Sequence, residues 1–143
     1  MNLSISEQLA YNTVRISTDV GTGTGFIYRF AVNDSGVHVP AIVTNKHVIE
    51  DAEEGEFLLT LASDEGEPLD TEHFSCKFDG FNKRWVLHPT ADVDLCAMPI
   101  APILSAMEKE GKKPFYIPID GALIPSFGEL EEFKLVEDIL MVG

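Results

Sequence analysis

Short runs of strand-forming residues, separated by turn signals, constrain the fold of this chain more than any other feature. Residues 13–17 alternate apolar and polar side chains, as a half-buried strand does. Further strand-forming runs occur at 26–32, 37–44, 56–61, 71–78, 84–87 and 94–100. An Asn-Asp-Ser-Gly turn at 33–36 joins the second and third runs into a hairpin. Many short strands with turns between them predict an all-β, antiparallel barrel or sandwich.

Short helical segments flank the predicted strands. Ser4 and Glu7 have the spacing of a capping box, which predicts a short N-terminal helix. The run 102–111 has Pro near its start and Gly as a stop, so it predicts a second helix. Ser126 begins a further helical turn. The glycine-rich run 21–25 is expected to break the first strand, so that the second strand begins after it.

An apolar run at residues 139–142 is expected to form a last strand. An unpaired apolar strand is a template for association with another strand. We therefore expect it either to dock on this domain or to open a second domain. The length of the chain allows one domain with a substantial core.

The charge of the chain excludes several classes of partner. Its 24 acidic residues against 10 basic ones give a formal net charge of −14. Such a surface repels nucleic acid and anionic membranes, so neither is an expected partner. The same charge keeps the protein soluble and could favour basic peptides.

The first residues, 1–7, lack the pattern of a signal peptide, and no run is long and apolar enough to span a bilayer. A cytoplasmic location is therefore expected. Cys76 and Cys96 are expected to be reduced core thiols, because two cysteines do not form a disulfide framework. The sequence contains no C-x-x-C or H-E-x-x-H motif, so neither a metal nor a cofactor is expected.

Two apolar strands each carry an ionisable residue at one end. The run 41–44 leads directly into Asn45-Lys46-His47, and Asp94 opens the apolar run 95–100. Histidine is suited to general base catalysis because its pKa lies near neutrality. An acid beside the ring fixes its tautomer. These two segments predict two of the three parts of a Ser-His-Asp triad.

The segments 23–26 (Gly-Thr-Gly-Phe), 43–48 (Val-Thr-Asn-Lys-His-Val) and 94–98 (Asp-Leu-Cys-Ala-Met) resemble those of the trypsin-like, chymotrypsin-fold serine proteases. The intracellular bacterial trypsin-like peptidases are the most similar in pattern. The resemblance implies a six-stranded antiparallel Greek-key barrel with short flanking helices, the first barrel of such a protease. Residues 1–10 would be a helical segment, 11–135 the barrel and 136–143 the start of a second barrel.

The resemblance further implies that His47 is the general base and Asp94 its orienting acid. Backbone N–H groups near Lys46 and His47 would bond the Asp94 carboxylate and keep it ionised. Asp92 is the alternative acid, but its choice would put the charge of Asp94 into a core position. We therefore prefer Asp94.

The nucleophile of the family lies in a Gly-Asp/Asn-Ser-Gly segment after the acid, and no such segment follows Asp94. Ser35 lies in a similar segment, but it precedes His47 and belongs to the predicted hairpin turn. The interpretation is an inactive N-terminal portion of a serine endopeptidase that acts on protein or peptide substrates. The alternative is a non-catalytic, protease-like module that binds a peptide or protein. A homodimer could form through the exposed half-cleft or the last strand.

Overall fold

A computed structural model describes residues 2–31, 33–133 and 139–142. These residues form a mostly β structure with one seven-stranded antiparallel sheet and short helices. The strands are β1 (Thr13–Thr18), β2 (Gly21–Phe30), β3 (Val39–Thr44), β4 (Glu54–Ala62), β5 (Pro68–Asp79), β6 (Val86–Leu87) and β7 (Cys96–Pro99). The α-helices are α1 (Ile5–Asn12), α2 (Lys46–Ile49), α3 (Ala101–Lys109) and α4 (Phe127–Glu131). Short 3₁₀-helices lie at Phe81–Arg84 and Gly121–Leu123.

The strand order across the sheet is β5-β4-β1-β2-β3-β7-β6, and every neighbouring pair is antiparallel. The expectation of a mostly β, antiparallel fold with short flanking helices is confirmed. The sheet has seven strands, which correspond to the seven strand-forming runs of the sequence, where the resemblance implied six; it is open, with β5 and β6 as its edges. Gly80, at φ 59°, follows the end of β5, and a 3₁₀-helix separates β5 from β6.

The glycine-rich run 21–25 was expected to lie between the first two strands, but β1 ends at Thr18 and the run itself forms the first half of β2, which begins at Gly21. A Cβ atom on Gly23 would lie 2.6 Å from Val48, and one on Gly25 would lie 2.8 Å from Ile42. Glycine is required at these positions because other parts of the fold approach the strand closely. The strand therefore forms despite the weak strand propensity of its residues.

Buried side chains of the strands, together with others such as Phe81 of the first 3₁₀-helix, form one hydrophobic core. Its fully buried members include Ile16, Ile27, Ile42, Phe57 and Phe81. Complete burial of an apolar side chain of this size contributes about 1.5–3 kcal/mol. These residues hold the central strands β1, β2 and β3 in place, and β3 is the strand that leads to His47.

The predicted last strand at 139–142 is not formed. These residues have no regular secondary structure and are exposed, and a strand requires a neighbouring strand to bond its backbone. Residues 136–138 and 143, the rest of the expected start of a second barrel, lie outside the described residues. No helix in the described ranges is long and apolar enough to cross a membrane.

Candidate active site

The buried end of β3 positions the candidate site. Residues 40–44 are buried between β2 and β7, and the Thr44 hydroxyl donates a hydrogen bond of 2.9 Å to the Thr24 carbonyl oxygen. The chain then turns at Asn45 into the short helix α2. The His47 side chain is 67% exposed as a result. A rigid strand thus delivers an accessible imidazole to the rim of the sheet.

His47 and Asp94 are hydrogen-bonded through both the ring and the backbone. The distance from His47 Nδ1 to Asp94 Oδ2 is 2.5 Å, and the His47 backbone N–H donates to Asp94 Oδ1 at 3.1 Å. Because an ionised carboxylate only accepts hydrogen bonds, Nδ1 carries the hydrogen in this arrangement. In the neutral ring, the lone pair of Nε2 is then free to accept a proton.

The structure places the carboxylate of Asp94, and not that of Asp92, against the imidazole of His47. The hydrogen bond from the His47 side chain lowers the pKa of Asp94 below its ordinary value. Partial desolvation raises it, but the backbone N–H groups of His47 and Lys46 lower it further. The carboxylate is therefore ionised at neutral pH, although its side chain is 49% exposed.

The depressed pKa of Asp94 predicts a pH-dependent contribution to stability. Because the folded value lies below the ordinary value of 3.8, the contribution is fully present only well above pH 3.8 and is lost as the pH falls through the folded pKa. We expect Asp94→Asn to be less stable than the wild type at pH 7 and the difference to shrink below pH 3.8. Urea unfolding at several pH values measures the difference.

The matched control for this experiment is Asp92→Asn. Among the described residues, the Asp92 side chain makes no hydrogen bond, so its replacement leaves the His47–Asp94 pair in place. A stability difference between Asp94→Asn and the wild type that stays constant from pH 7 to pH 3 would contradict the prediction.

His47 opens onto a groove with a volume of about 760 Å³. Strand residues Thr22, Gly23 and Thr24 line one part of the groove, and the exposed residues 140–142 line another. The groove is large enough for several side chains of a peptide. The imidazole of His47 forms part of its lining.

Ser35 lies far from this site. It belongs to the turn before β3, whereas His47 follows β3, and a strand of six residues spans about 20 Å. Within ranges 2–31, 33–133 and 139–142, no side chain hydrogen-bonds to Nε2 of His47. The described part of the chain thus supplies a histidine and an aspartate without a paired nucleophile.

Cys96 is close to the site but is buried in the core. Its Sγ lies 3.7 Å from the Thr44 carbonyl oxygen, and burial raises the pKa of its thiol to about 11. Burial also raises the pKa of Cys76 to about 11. Both cysteines are free and buried, as predicted. Thiols of this kind are largely protonated at neutral pH and are poor nucleophiles.

Sequence reasoning missed two contacts that hold the Asp94 segment. The Asn45 side-chain amide donates to the Asp94 carbonyl oxygen at 2.7 Å, and Lys46 Nζ donates to the Thr90 carbonyl oxygen at 3.2 Å. In the sequence, the only indication of these contacts is that Asn45 and Lys46 are the two residues before His47. Nothing in a linear sequence indicates which distant carbonyl a side chain will reach.

Comparisons of the chain with protein-family profiles, with curated proteins and with solved structures find no match. Among the described residues, no group of three or more His, Cys, Asp or Glu side chains is arranged to hold a metal ion.

Proposed function

We propose that this chain is the N-terminal portion of a trypsin-like serine endopeptidase and carries the histidine and the aspartate of its triad. The observation that carries the proposal is the double hydrogen bond from His47 to Asp94, through Nδ1 at 2.5 Å and the backbone N–H at 3.1 Å. This arrangement fixes the imidazole with Nε2 available as a base, as a triad requires.

The strand order supports the architecture that the resemblance implies. Neighbours β4-β1-β2-β3 have the spatial order of a Greek key, in which the fourth strand returns beside the first. The edge strands β5 and β6 are consecutive in the chain and are joined by residues 80–85. We propose that the two edges of the sheet meet, which closes it into a barrel. Because β5 and β6 then act as one bent strand, the barrel has six strands and comprises residues 11–135.

In the proposed reaction, Nε2 of His47 takes the proton of a serine hydroxyl as its oxygen attacks the carbonyl carbon of a peptide bond. The Asp94 carboxylate stabilises the imidazolium that forms. His47 then gives the proton to the leaving amine, and water hydrolyses the acyl-enzyme through the same base. The serine and the oxyanion-binding groups are supplied from outside these 143 residues.

The proposed substrates are proteins or peptides. The free, buried thiols of Cys76 and Cys96 agree with a reducing compartment, and we propose the cytoplasm. A second copy of the chain that covers the exposed apolar residues 139–142 is a further proposed partner. A monomer in sedimentation velocity at high protein concentration would contradict that dimer.

The test uses the polypeptide as the cell makes it, with an affinity tag before residue 1 so that any residues beyond 143 are retained. We expect a fluorophosphonate probe to label a serine outside residues 1–143, and His47→Ala to abolish the labelling. His73→Ala is the matched control because His73 is exposed on β5. The 143-residue chain alone should hydrolyse neither casein nor ester substrates.

Two results would overturn the proposal. One is a folded, tagged polypeptide that the probe does not label, which would favour the non-catalytic binding module. The other is His47-dependent turnover by the 143-residue chain, which would place the nucleophile within it. Mass spectrometry of the labelled peptide distinguishes a serine before residue 143 from one after it.

A further inference from the structure

Asn45 occupies the N-cap position of α2, but its side chain does not cap the helix. An asparagine at this position usually accepts a hydrogen bond from the backbone N–H of the second or third helical residue. Here the Asn45 amide instead donates to the main-chain carbonyl of Asp94 at 2.7 Å, across 49 residues of sequence. The Asn45 side chain therefore bonds a residue that is distant in the sequence and does not form the usual local capping bond.

The Asp94 carboxylate accepts the hydrogen bond from the N-terminus of α2 that a capping asparagine would usually accept. His47 is the second residue of α2, and its backbone N–H donates to Asp94 Oδ1 at 3.1 Å. Asp94 thus caps α2, while Asn45 holds the main chain of Asp94. The Asp94 residue is bound at both its carbonyl oxygen and its carboxylate, so the path of its side chain to Nδ1 of His47 is closely defined.

Lys46 is the other side chain that anchors the same loop, but its role differs. It bonds the carbonyl oxygen of Thr90, four residues before Asp94, at 3.2 Å. Thr90 lies on an exposed loop, and a lysine ammonium has a flexible stem. Asn45 acts on Asp94 directly and through a shorter, stiffer side chain.

We propose that Asn45 is a positioning residue, which sets the Asp94 carboxylate against Nδ1 of His47 by holding the Asp94 main chain. Its importance for catalysis rests on the proposed function, whereas the positioning itself concerns only residues of this chain. Without the Asn45 amide, the main chain of Asp94 loses one of its anchoring hydrogen bonds, and the Nδ1–H hydrogen bond of His47 opens more often.

The experiment measures the solvent-exchange rate of the His47 Nδ1 proton by NMR in the ¹⁵N-histidine-labelled 143-residue chain. We expect Asn45→Ala and Asn45→Asp to exchange about 10-fold faster than the wild type, since each loses the amide donor. Asn45→Asp has the same shape as the wild-type side chain, so it remains informative if the alanine variant folds poorly. Asn33→Ala is the control, because the Asn33 side chain accepts bonds from Ser35 and Val37 in a distant turn.

Amide hydrogen exchange in β3, measured in the same samples, distinguishes the positioning role of Asn45 from a general contribution to stability. Loss of general stability would accelerate the amides of β3 and the Nδ1 proton together, whereas the positioning role accelerates the Nδ1 proton selectively. Unchanged Nδ1 exchange in both Asn45 variants would overturn the inference, and so would equal acceleration of the β3 amides. If the probe never labels the tagged polypeptide but Nδ1 exchange accelerates selectively, the proposed protease function is wrong and the positioning role of Asn45 is still supported.

Discussion

Asp94→Asn is expected to slow fluorophosphonate labelling of the tagged polypeptide by about 10⁴-fold, the size of loss that this substitution causes in a Ser-His-Asp triad. The amide of asparagine can donate to Nδ1, where the carboxylate can only accept. His47 would then carry its hydrogen on Nε2 and could not take the proton of the nucleophile. Second-order labelling rate constants for the wild type and the variant measure the effect.

Asp92→Asn serves as the control for labelling too, because it removes a carboxylate two residues away without changing the bonds of His47. We expect this variant to be labelled at the wild-type rate. If Asp94→Asn were labelled as fast as Asp92→Asn, the Asp94 carboxylate would have no part in activating the nucleophile. The assignment of Asp94 as the orienting acid would then be wrong.

Gly55→Ala is expected to destabilise the fold by about 3 kcal/mol, at the upper end of the usual cost of overpacking a core. Gly55 is buried on β4, and a Cβ atom there would overlap the ring of Phe81. The Phe81 ring is fully buried and packs edge-on against Trp85, with 5.5 Å between ring centroids, so it has no space into which to move. Urea unfolding measures the loss of free energy of unfolding.

The matched control is Gly128→Ala in α4, where the nearest atom to the added Cβ is Ser126 Oγ at 3.9 Å. Because alanine has the higher helix propensity, this change should be neutral or stabilising by up to about 1 kcal/mol. Phe81→Leu should recover part of the stability lost in Gly55→Ala, because a smaller side chain relieves the overlap. Equal stability of Gly55→Ala and Gly128→Ala would contradict the described packing of Gly55.

Local patterns predicted most of the secondary structure, because the information lies within a few residues. The capping box of Ser4 and Glu7 is formed as expected, with each side chain bonded to the backbone of the other residue. The alternation of residues 13–17 likewise corresponds to β1, whose side chains alternate between buried and exposed. These elements need little tertiary context to be recognised.

The two strand predictions that were wrong depend on tertiary contacts. Glycine at positions 23 and 25 was interpreted as a strand breaker, yet it allows close approach by Val48 and Ile42, which lie far away in the sequence. The apolar run 139–142 has the composition of a strand, but it pairs with no described strand, and β2 beside it is already paired on both edges by β1 and β3. Propensity cannot indicate whether such a partner exists.

The candidate site was predictable in part. His47 and Asp94 were selected from their positions at strand ends and from the resemblance of the surrounding motifs. The anchoring contact of Asn45 could not be predicted, because it depends on how α2 leaves β3 and on where the Asp94 loop passes. Such contacts are set by the three-dimensional path of the backbone and leave no spacing in the sequence.

The pairing of His47 with Asp94 is tested most directly by the ¹⁵N NMR spectrum of the imidazole of His47 in the wild-type chain at alkaline pH, where an imidazole is neutral. We expect a hydrogen-bonded proton on Nδ1 and an unprotonated Nε2. Asp94→Asn should move the hydrogen to Nε2. A spectrum in which the wild-type ring carries its hydrogen on Nε2, or is unchanged by Asp94→Asn, would contradict the account.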